Sequence, residues 1–443
     1  MSGAGVPSRL DSLPLTRLHL AAAALCAAGM FVDVAELALS VAFSAIFSAP
    51  PHSLDATQLG MLLASVFVGG AIGSPLFGWL ADRHGRRLAL QLSLLLVAAP
   101  SLGAAFSPDA NWLIFFRLLS GMALGAYPPL MSAFLADIMP PKRRAPIMLT
   151  AVSIGLLGAP LVALLVWWLT PLAPLGIEGW RWALIGMGAM AGMLAPAFVL
   201  LPESPRWLAA RGRADEADRA CRRFEAAAGI ASPPVVSELA AAAASTPPIR
   251  GFGAHWPNVV LIAALYLMRP WATVGFPVIA GAVLIAKSYR LDQSLASVGI
   301  GGFGAALGAL LAATVVDRLP RRTSLAICSL ALMGAGLLFA IGNDLMVLVL
   351  AMAAFNFLAA IYGPLLSIYA AEIFPTGIRA SATATAWSAN RIGSALAPLA
   401  LLPLLQFYGP VLVLATIAAT LLVNLILIAA FGPRGLAGQP LMA

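Results

Sequence analysis

Five ionisable residues lie within long apolar stretches of the sequence: Asp33, Glu36, Arg117, Arg269 and Arg391. An ionisable group in such surroundings costs about 3 kcal/mol unless it is paired or hydrated, so each is a candidate for function. Asp33 and Glu36 are three residues apart, and a helix places both carboxyl groups on one face. They repel each other and burial disfavours their charged forms, so at least one should bind a proton readily.

The arginines predict counter-charges for these carboxyl groups. Arg117 could pair with the carboxylate that carries the proton, so we expect Asp33, Glu36 and Arg117 to form a proton-coupling group. A permanent ion pair, or extension of Arg117 to a lipid headgroup, is the alternative. Arg391 lies about eleven residues from the nearer end of its apolar stretch, roughly 16 Å along a helix. It should therefore face an internal cavity.

The charges expected in that cavity favour an anionic ligand. A guanidinium group binds a carboxylate through two parallel hydrogen bonds, and aromatic rings provide an apolar slot for a ring or short chain. The predicted substrate-binding residues are Arg391, Arg269, Tyr266, Trp271, Asn356, Asn390, Tyr127 and Tyr362. Packing between helices is the alternative role for the aromatic side chains.

The composition indicates that lipid surrounds these residues. Hydrophobic residues make up 61% of the chain and charged residues 10%, whereas a soluble domain has about 25% charged residues. Apolar stretches of about 20 residues or more, long enough to cross a hydrocarbon core, recur twelve times. The sequence therefore predicts an all-α membrane protein with twelve transmembrane helices.

Other chemistries have little support in the sequence. The three cysteines are widely separated, the four histidines form no cluster, and no nucleophile accompanies a His and Asp pair. We expect no metal, no cofactor and no enzyme activity. The net charge of +8 is explained by basic loops beside anionic lipid, so nucleic acid is not an expected partner.

An internal repeat organises the chain. A shift of 235 residues places Asp82, Arg83, Arg86, Arg87, Gly69, Gly73, Tyr127, Pro129, Asp137 and Arg144 on Asp317, Arg318, Arg321, Arg322, Gly304, Gly308, Tyr362, Pro364, Glu372 and Arg379. One offset for clusters far apart indicates a duplicated unit, which in an apolar chain is typical of two-halved transporters. We expect two pseudo-symmetric six-helix bundles, 1–202 and 255–443, joined by a cytoplasmic connector, 203–254.

The basic residues predict the orientation. Of the 26 Lys and Arg residues, 20 lie in the termini and in loops that alternate onto one side of the membrane. The positive-inside rule places both termini and the connector in the cytoplasm. High Ala, Gly and Arg usage is compatible with a bacterial inner membrane. The expected partners are protons, a small organic acid and the lipid bilayer, and we expect a monomer.

Two motifs carry a resemblance to the major facilitator superfamily. The run from Gly78 to Arg87 resembles that superfamily's signature loop, and the run from Pro202 to Leu208 resembles the end of helix 6 in its sugar and organic-ion branches. The resemblance implies gating contacts that hold the two halves together in one state. The implied gating residues are Asp82, Arg83, Arg86, Arg87, Asp137, Arg144, Glu203, Arg206, Asp317, Arg318, Arg321, Arg322, Glu372 and Arg379. Charges that only set topology are the alternative.

A finer resemblance is to the aromatic acid and metabolite proton symporters, a branch similar to the synaptic vesicle glycoprotein transporters. It is carried by the acidic pair Asp33 and Glu36, by Arg117 with Asp137 twenty residues later, and by Arg391 twelve residues after Arg379. The aromatic acid group normally has two aspartates in the first helix, so the second acidic position differs here. The resemblance implies that these residues matter for transport, with Arg379 in gating.

Together these features predict a proton-coupled symporter of a small organic acid anion, such as nicotinate or benzoate, that works by alternating access. A sugar or polyol symporter is the nearest alternative, although Gln and Asn are scarce on the expected cavity helices. A drug/proton antiporter is opposed by Arg269 and Arg391, which would repel cationic substrates. A transport-dead receptor on the same scaffold is a further alternative, opposed by the intact charges of both halves.

Overall fold

The structure is a computed structural model that describes residues 6–230, 256–315, 320–374 and 376–432. Within these ranges it contains helices and no strand. The first part of the chain forms α1 (Val6–Asp11), α2 (Arg17–Ile46), α3 (Ala56–His84), α4 (Arg86–Ala105), α5 (Ala110–Leu124), α6 (Tyr127–Ile138), α7 (Pro141–Leu156), α8 (Gly158–Leu169), α9 (Gly179–Ala197), α10 (Pro205–Ala210) and α11 (Ala214–Ala227). The second part forms α12 (Trp256–Pro270), α13 (Phe276–Ala286), α14 (Leu291–Val315), α15 (Arg321–Ile341), α16 (Leu345–Ile373) and α17 (Thr376–Phe431).

Eleven helical spans of the described chain are long and apolar enough to cross a membrane. The last is 43 residues long, because α17 continues through a break at Gly409, where φ is 80° and ψ is 179°. Glycine tolerates this positive φ, and the break divides α17 into two membrane-length segments, 376–408 and 410–431. The predicted all-α membrane fold is confirmed, and the expected loop between the last two spans is a single residue.

Three spans are interrupted near their middle. The fourth changes course between α5 and α6, where Pro128 and Pro129 begin a new helix, because proline has no N–H to continue the previous one. The fifth is divided at Leu157 between α7 and α8, and the seventh contains a π-helical turn, Trp271–Gly275, between α12 and α13. Each interruption frees backbone groups or redirects side chains near the centre of the bilayer.

Glycines at equivalent positions of the repeat make the same type of helix contact. A Cβ atom on Gly69 or Gly73 of α3 would collide with the backbone of α5, at Leu118 and Met122 respectively. A Cβ atom on Gly304 or Gly308 of α14 would collide in the same way with backbone carbonyls of α16. Small residues allow membrane helices to approach this closely. The 235-residue repeat in the sequence is therefore also a repeat of helix packing.

The two halves meet along α2 with α13, α3 with α17, and α8 with α14. We call the membrane side that carries residues 83–87 and 139–144 the basic end, and the side where α2 ends and α3 begins the opposite end. At the opposite end, Gly281 of α13 packs on Ala45 of α2, and the backbone N–H of Ala56 donates to Gln406 Oε1 at 3.2 Å. The halves are thus in direct contact at that end.

Candidate transport site

A buried ion pair joins α2 to α5. Arg117 Nη1 donates to Glu36 Oε2 at 2.5 Å, and Arg117 Nη2 donates to the Glu36 carbonyl at 2.7 Å and to Ser40 Oγ at 3.1 Å. The two charged side chains are 1% and 0% exposed. The guanidinium also lies 5.5 Å from the centre of the Phe43 ring. Several charge-assisted hydrogen bonds offset the desolvation of these two charges.

Asp33, one turn earlier on α2, has a different environment. Its residue surface is 3% exposed, and its Oδ1 atom has no hydrogen-bond partner among the described residues. Its electrostatic neighbours include Glu36, Tyr127 and, from the second half, Arg391. The two carboxyl groups lie close together as expected from their spacing, but among the described residues only Glu36 is in an ion pair.

Arg391 links α17 to the first half through the carbonyl of Gly125. Arg391 Nη2 donates to this oxygen at 2.5 Å, and Ser74 Oγ donates to it at 2.8 Å. The carbonyl is available because an α-helix would satisfy it with the N–H of residue 129, which is Pro129 and has none. A proline in one half therefore creates an acceptor for an arginine of the other.

A cavity of about 270 Å³ lies between the halves. Residues of α2, α7, α8, α12, α13, α14 and α16, together with the π-helical turn, line it. Its polar lining side chains are Arg269, Thr273 and Asn356, and the others are Ala, Val, Leu, Pro, Met or Gly. Asn356 Nδ2 also donates to the carbonyl of Gly301 at 3.1 Å. The cavity thus presents one guanidinium and one amide in an apolar wall.

Two of the eight predicted binding residues, Arg269 and Asn356, line this cavity. Tyr266 and Tyr362 are not among the lining residues, but they interact electrostatically with Arg269. Gly363 leaves room for the guanidinium, since a Cβ atom there would be 2.6 Å from Arg269 Nη2.

The other four predicted binding residues are not among the lining residues: Arg391, Asn390, Trp271 and Tyr127. Tyr127 instead donates to the Cys26 carbonyl at 3.2 Å, and its ring occupies the space above Gly29. Trp271 packs against an apolar core that contains residues of both halves. In this conformation these two aromatic residues pack helices together, which is the alternative role for the aromatic side chains.

The gating residues of the first half form a network at the basic end. Arg86 contacts Asp137 at 3.5 Å and Asp82 at 3.6 Å. Ser204 Oγ donates to Asp137 Oδ2 at 2.7 Å, and Glu203 accepts from the backbone N–H of Arg87 at 3.0 Å. These contacts join α4, α6 and α10 within the first half.

The rest of this network involves the chain's first helix. Arg206 donates to the Asp137 carbonyl at 2.9 Å and to Asp11 Oδ1 at 2.6 Å. Arg144 lies 3.9 Å from the same Asp11 oxygen. Arg83 lies over the Trp79 ring with its guanidinium carbon 5.4 Å from the ring centre, away from these carboxylates.

The structure describes the side chains of two equivalent residues of the second half. Arg321 is buried, and Arg322 donates to the carbonyls of Gly432 and Ala429 near the end of α17. Asp317 and Arg318 lie outside the described residues, and so do the side chains of Glu372 and Arg379. The implied contacts between the halves at this end therefore stay predictions.

The sequence reasoning missed several residues that shape the site. Ser40, Ser74 and the Gly125 carbonyl all accept or donate hydrogen bonds around the buried charges. For Gly125 a signal was present, because Pro129 follows it by four residues. Arg9 was also missed as a structural residue: it pairs with Glu225 at 2.8 Å and Asp218 at 2.7 Å.

Two pseudo-symmetric helical bundles around a central cavity define a membrane transporter of the major facilitator superfamily. Residues 30–442 match the family described as Sugar (and other) transporter, and the chain belongs to that family.

Similar proteins are named for different substrates. The niacin transporter NiaP of Acinetobacter baylyi is 26% identical, over 88% of this chain and 88% of NiaP. A D-xylose transporter of Levilactobacillus brevis is 28% identical, over 82% of each chain. A solved structure of the xylose transporter XylE from E. coli, described as partially occluded and inward open, has a TM-score of 0.74 and 18% identity, covering 94% of this chain and 98% of XylE.

Proposed function

We propose that the protein is a proton-coupled symporter of a small organic acid anion with an apolar body, such as nicotinate or benzoate. The observation that carries this proposal is Arg269, a buried guanidinium that lines an otherwise largely apolar cavity of about 270 Å³. A carboxylate of the ligand would bind the guanidinium through two parallel hydrogen bonds. The ring or chain would then lie against the apolar wall.

The small number of polar groups in the cavity lining favours an organic acid over a sugar as the substrate. A sugar has a hydroxyl on nearly every carbon, and each needs a donor or acceptor when it leaves water. Besides Arg269, the cavity lining offers Thr273 and Asn356, and both already make hydrogen bonds to backbone carbonyls. Sugar transport is the second candidate, since a D-xylose transporter is as similar in sequence as NiaP. Arg269 disfavours a cationic drug.

The proposed orientation places the basic end, both termini and residues 203–254 in the cytoplasm of a bacterial cell. The excess of Lys and Arg at that end supports it. The network from Asp82 to Arg206 would then lie at the cytoplasmic ends of the helices. We propose that its residues restrict opening at that end in one state of the transport cycle.

The proposed mechanism is alternating access. Asp33, Glu36 and Arg117 form the proton-coupling group of the first half, and Arg269 with Asn356 binds the anion from the second half. Tyr266 and Tyr362 position the Arg269 side chain. Binding of a proton and an anion shifts the population between states open to the two sides. The substrate itself undergoes no chemical step.

Uptake into proteoliposomes under an inward proton gradient tests this proposal. Labelled nicotinate, benzoate and D-xylose are compared in the wild type, Arg269→Ala and Arg269→Lys, with protein-free liposomes as a blank because weak acids leak. We expect acid uptake that a protonophore abolishes, loss of it in Arg269→Ala, and partial retention in Arg269→Lys. Arg290→Ala, which removes an exposed arginine, is the matched control and should transport normally. Xylose uptake that survives Arg269→Ala would assign the protein to sugar transport.

A further inference from the structure

The two carboxyl groups of α2 differ in where their positive neighbours come from. Glu36 contacts Arg117, which belongs to the same half and is fixed by three hydrogen bonds. Asp33 Oδ1 and Glu36 Oε1 each lack a hydrogen-bond partner among the described residues, so the difference lies in the ion pair, which Glu36 makes and Asp33, among the same residues, does not. The positive charge that acts on Asp33 is that of Arg391, from the other half.

The surroundings of Asp33 come from three elements. Glu36 faces it from α2, Tyr127 from α6 and Arg391 from α17. Glu36 is already neutralised by Arg117, and Tyr127 is held by the Cys26 carbonyl. Arg391 is held by its hydrogen bond to the Gly125 carbonyl. Among the described residues, the attraction between Asp33 and Arg391 is therefore an interaction between opposite charges that crosses from one half to the other.

We propose that Asp33 alone carries the coupling proton, that Arg391 is its counter-charge across the two halves, and that Glu36 with Arg117 is a permanent ion pair. This assignment rests on the proposed proton symport and divides roles within its site. When a proton from solution binds a carboxylate oxygen of Asp33, the negative charge is cancelled. Arg391 keeps its own proton but loses its attraction to Asp33, which leaves its hydrogen bond to the Gly125 carbonyl as the contact that must break when the halves separate.

The consequence is a link between protonation and the arrangement of the halves. Ionised Asp33 is stabilised where Arg391 is close, as in this structure. The proton therefore binds more tightly to a state in which the halves have moved apart, and acid shifts the population toward that state. Because the halves are in contact here at the opposite end, we expect that end to open as the pH falls.

Spin labels on the two halves measure this shift without any substrate. Pro108 and Asn343 lie in exposed loops at the opposite end, and the three native cysteines are buried. In Pro108→Cys/Asn343→Cys, reconstituted in lipid nanodiscs, the distance between labels should lengthen from pH 8 to pH 5. The shift should be lost in Asp33→Asn and kept in Asp33→Glu. Arg391→Gln should also lose the shift, because without the guanidinium the proton binds equally well to both arrangements of the halves.

The controls separate this inference from the proposed function. Asp292→Asn makes the same chemical change at an exposed carboxylate and should respond as the wild type does. A pH shift that persists in Asp33→Asn would overturn the assignment of the proton to Asp33 while leaving proton coupling intact. If the distance between the labels in the wild type does not change with pH, both the assignment to Asp33 and the proposed proton coupling are overturned. If Asp33→Asn aggregates, Arg391→Gln decides: a pH shift as large as in the wild type rejects the counter-charge role.

Discussion

Arg117 and Glu36 are in ion-pair contact at 2.5 Å, and neither side chain is more than 1% exposed. The pair lies between two helices of the same half, so motion of one half relative to the other does not stretch it. A pair of this kind fixes α2 against α5. It also fixes the surroundings of Asp33, whose carboxyl group is one helical turn away.

The buried pair should behave as a unit when it is mutated. Arg117→Gln leaves an uncompensated carboxylate in the core and should cost about 3–5 kcal/mol, whereas neutralising both partners in Glu36→Gln/Arg117→Gln should recover part of that loss. Thermal unfolding followed by tryptophan fluorescence measures both. The control is Arg290→Gln, which breaks an exposed pair with Asp292 and should change stability by less than about 1 kcal/mol. Equal losses in Arg117→Gln and the control would contradict the prediction.

Gly85 should be intolerant of any side chain. Its φ is 115°, which L-residues avoid, and a Cβ atom would collide with the Glu203 carboxyl group. Gly85→Ala should therefore destabilise the protein by about 2 kcal/mol and weaken the bond from Arg87 N–H to Glu203. Gly78→Ala, at a helical glycine with open space around it, is the matched control and should be neutral or stabilising. The melting temperatures of the two variants provide the comparison.

Filling the central cavity should discriminate between substrates by size. Ala359 lines the cavity, whereas Ala354 on the same helix is exposed on the outer surface. Ala359→Leu should raise KM for benzoate about tenfold or more and that for a short acid such as propionate by less, because each displaced methylene costs about 1–3 kcal/mol of binding. Ala354→Leu is the control and should change neither. Equal effects on the two acids would place the substrate elsewhere.

The packing of α1 against α11 should depend on pH, because ion pairs between Arg9 and two carboxylates of α11 hold the two helices together. Partial burial alone would raise the pKa of Asp218, but its hydrogen bonds and charge interactions with Arg9 and Arg222 outweigh this and lower the pKa. A lowered pKa means that the stabilisation is complete above the ordinary carboxyl value, about 4, and is lost as the pH falls below it.

Hydrogen exchange of the backbone amides of residues 214–227 measures how firmly α1 and α11 are held together. We expect exchange, corrected for its intrinsic pH dependence, to increase below pH 4. Arg9→Ala should increase it at neutral pH as well, since it leaves the buried Glu225 without its guanidinium. Arg222→Ala removes an exposed partner of Asp218 and should have a smaller effect. Equal exchange in the two variants at pH 7 would show that Arg9 does not hold the helix.

Periodic and strongly apolar features were predictable from the sequence, as was the closeness of Asp33 and Glu36. A three-residue spacing fixes a common helical face, so only the helix itself had to be right. The pairing of Arg117 with Glu36 rather than Asp33 could not be predicted, because it depends on how α5 is rotated against α2. Helix rotation is decided by packing, which one sequence does not show.

The cavity lining shows the same limit. Arg269 and Asn356 were both candidates, but Asn390 and Trp271 were equally good candidates from their depth alone. The π-helical turn at Trp271–Gly275 shifts the register of the seventh span, which redirects every side chain after it. No composition signal marks such a turn. The depth of a side chain in the membrane was therefore predictable, but the direction in which it points was not.

The break at Gly409 has a mechanical consequence. One residue joins the segment that carries Arg391 to the final segment, whose Val411, Ile426 and Phe431 are exposed as lipid-facing groups. A connection this short transmits tilt, and the tilt of a lipid-facing helix responds to the thickness of the bilayer around it. We therefore expect membrane thickness to act on the position of Arg391, so the lipid composition of the vesicles should be held constant in any assay of this protein.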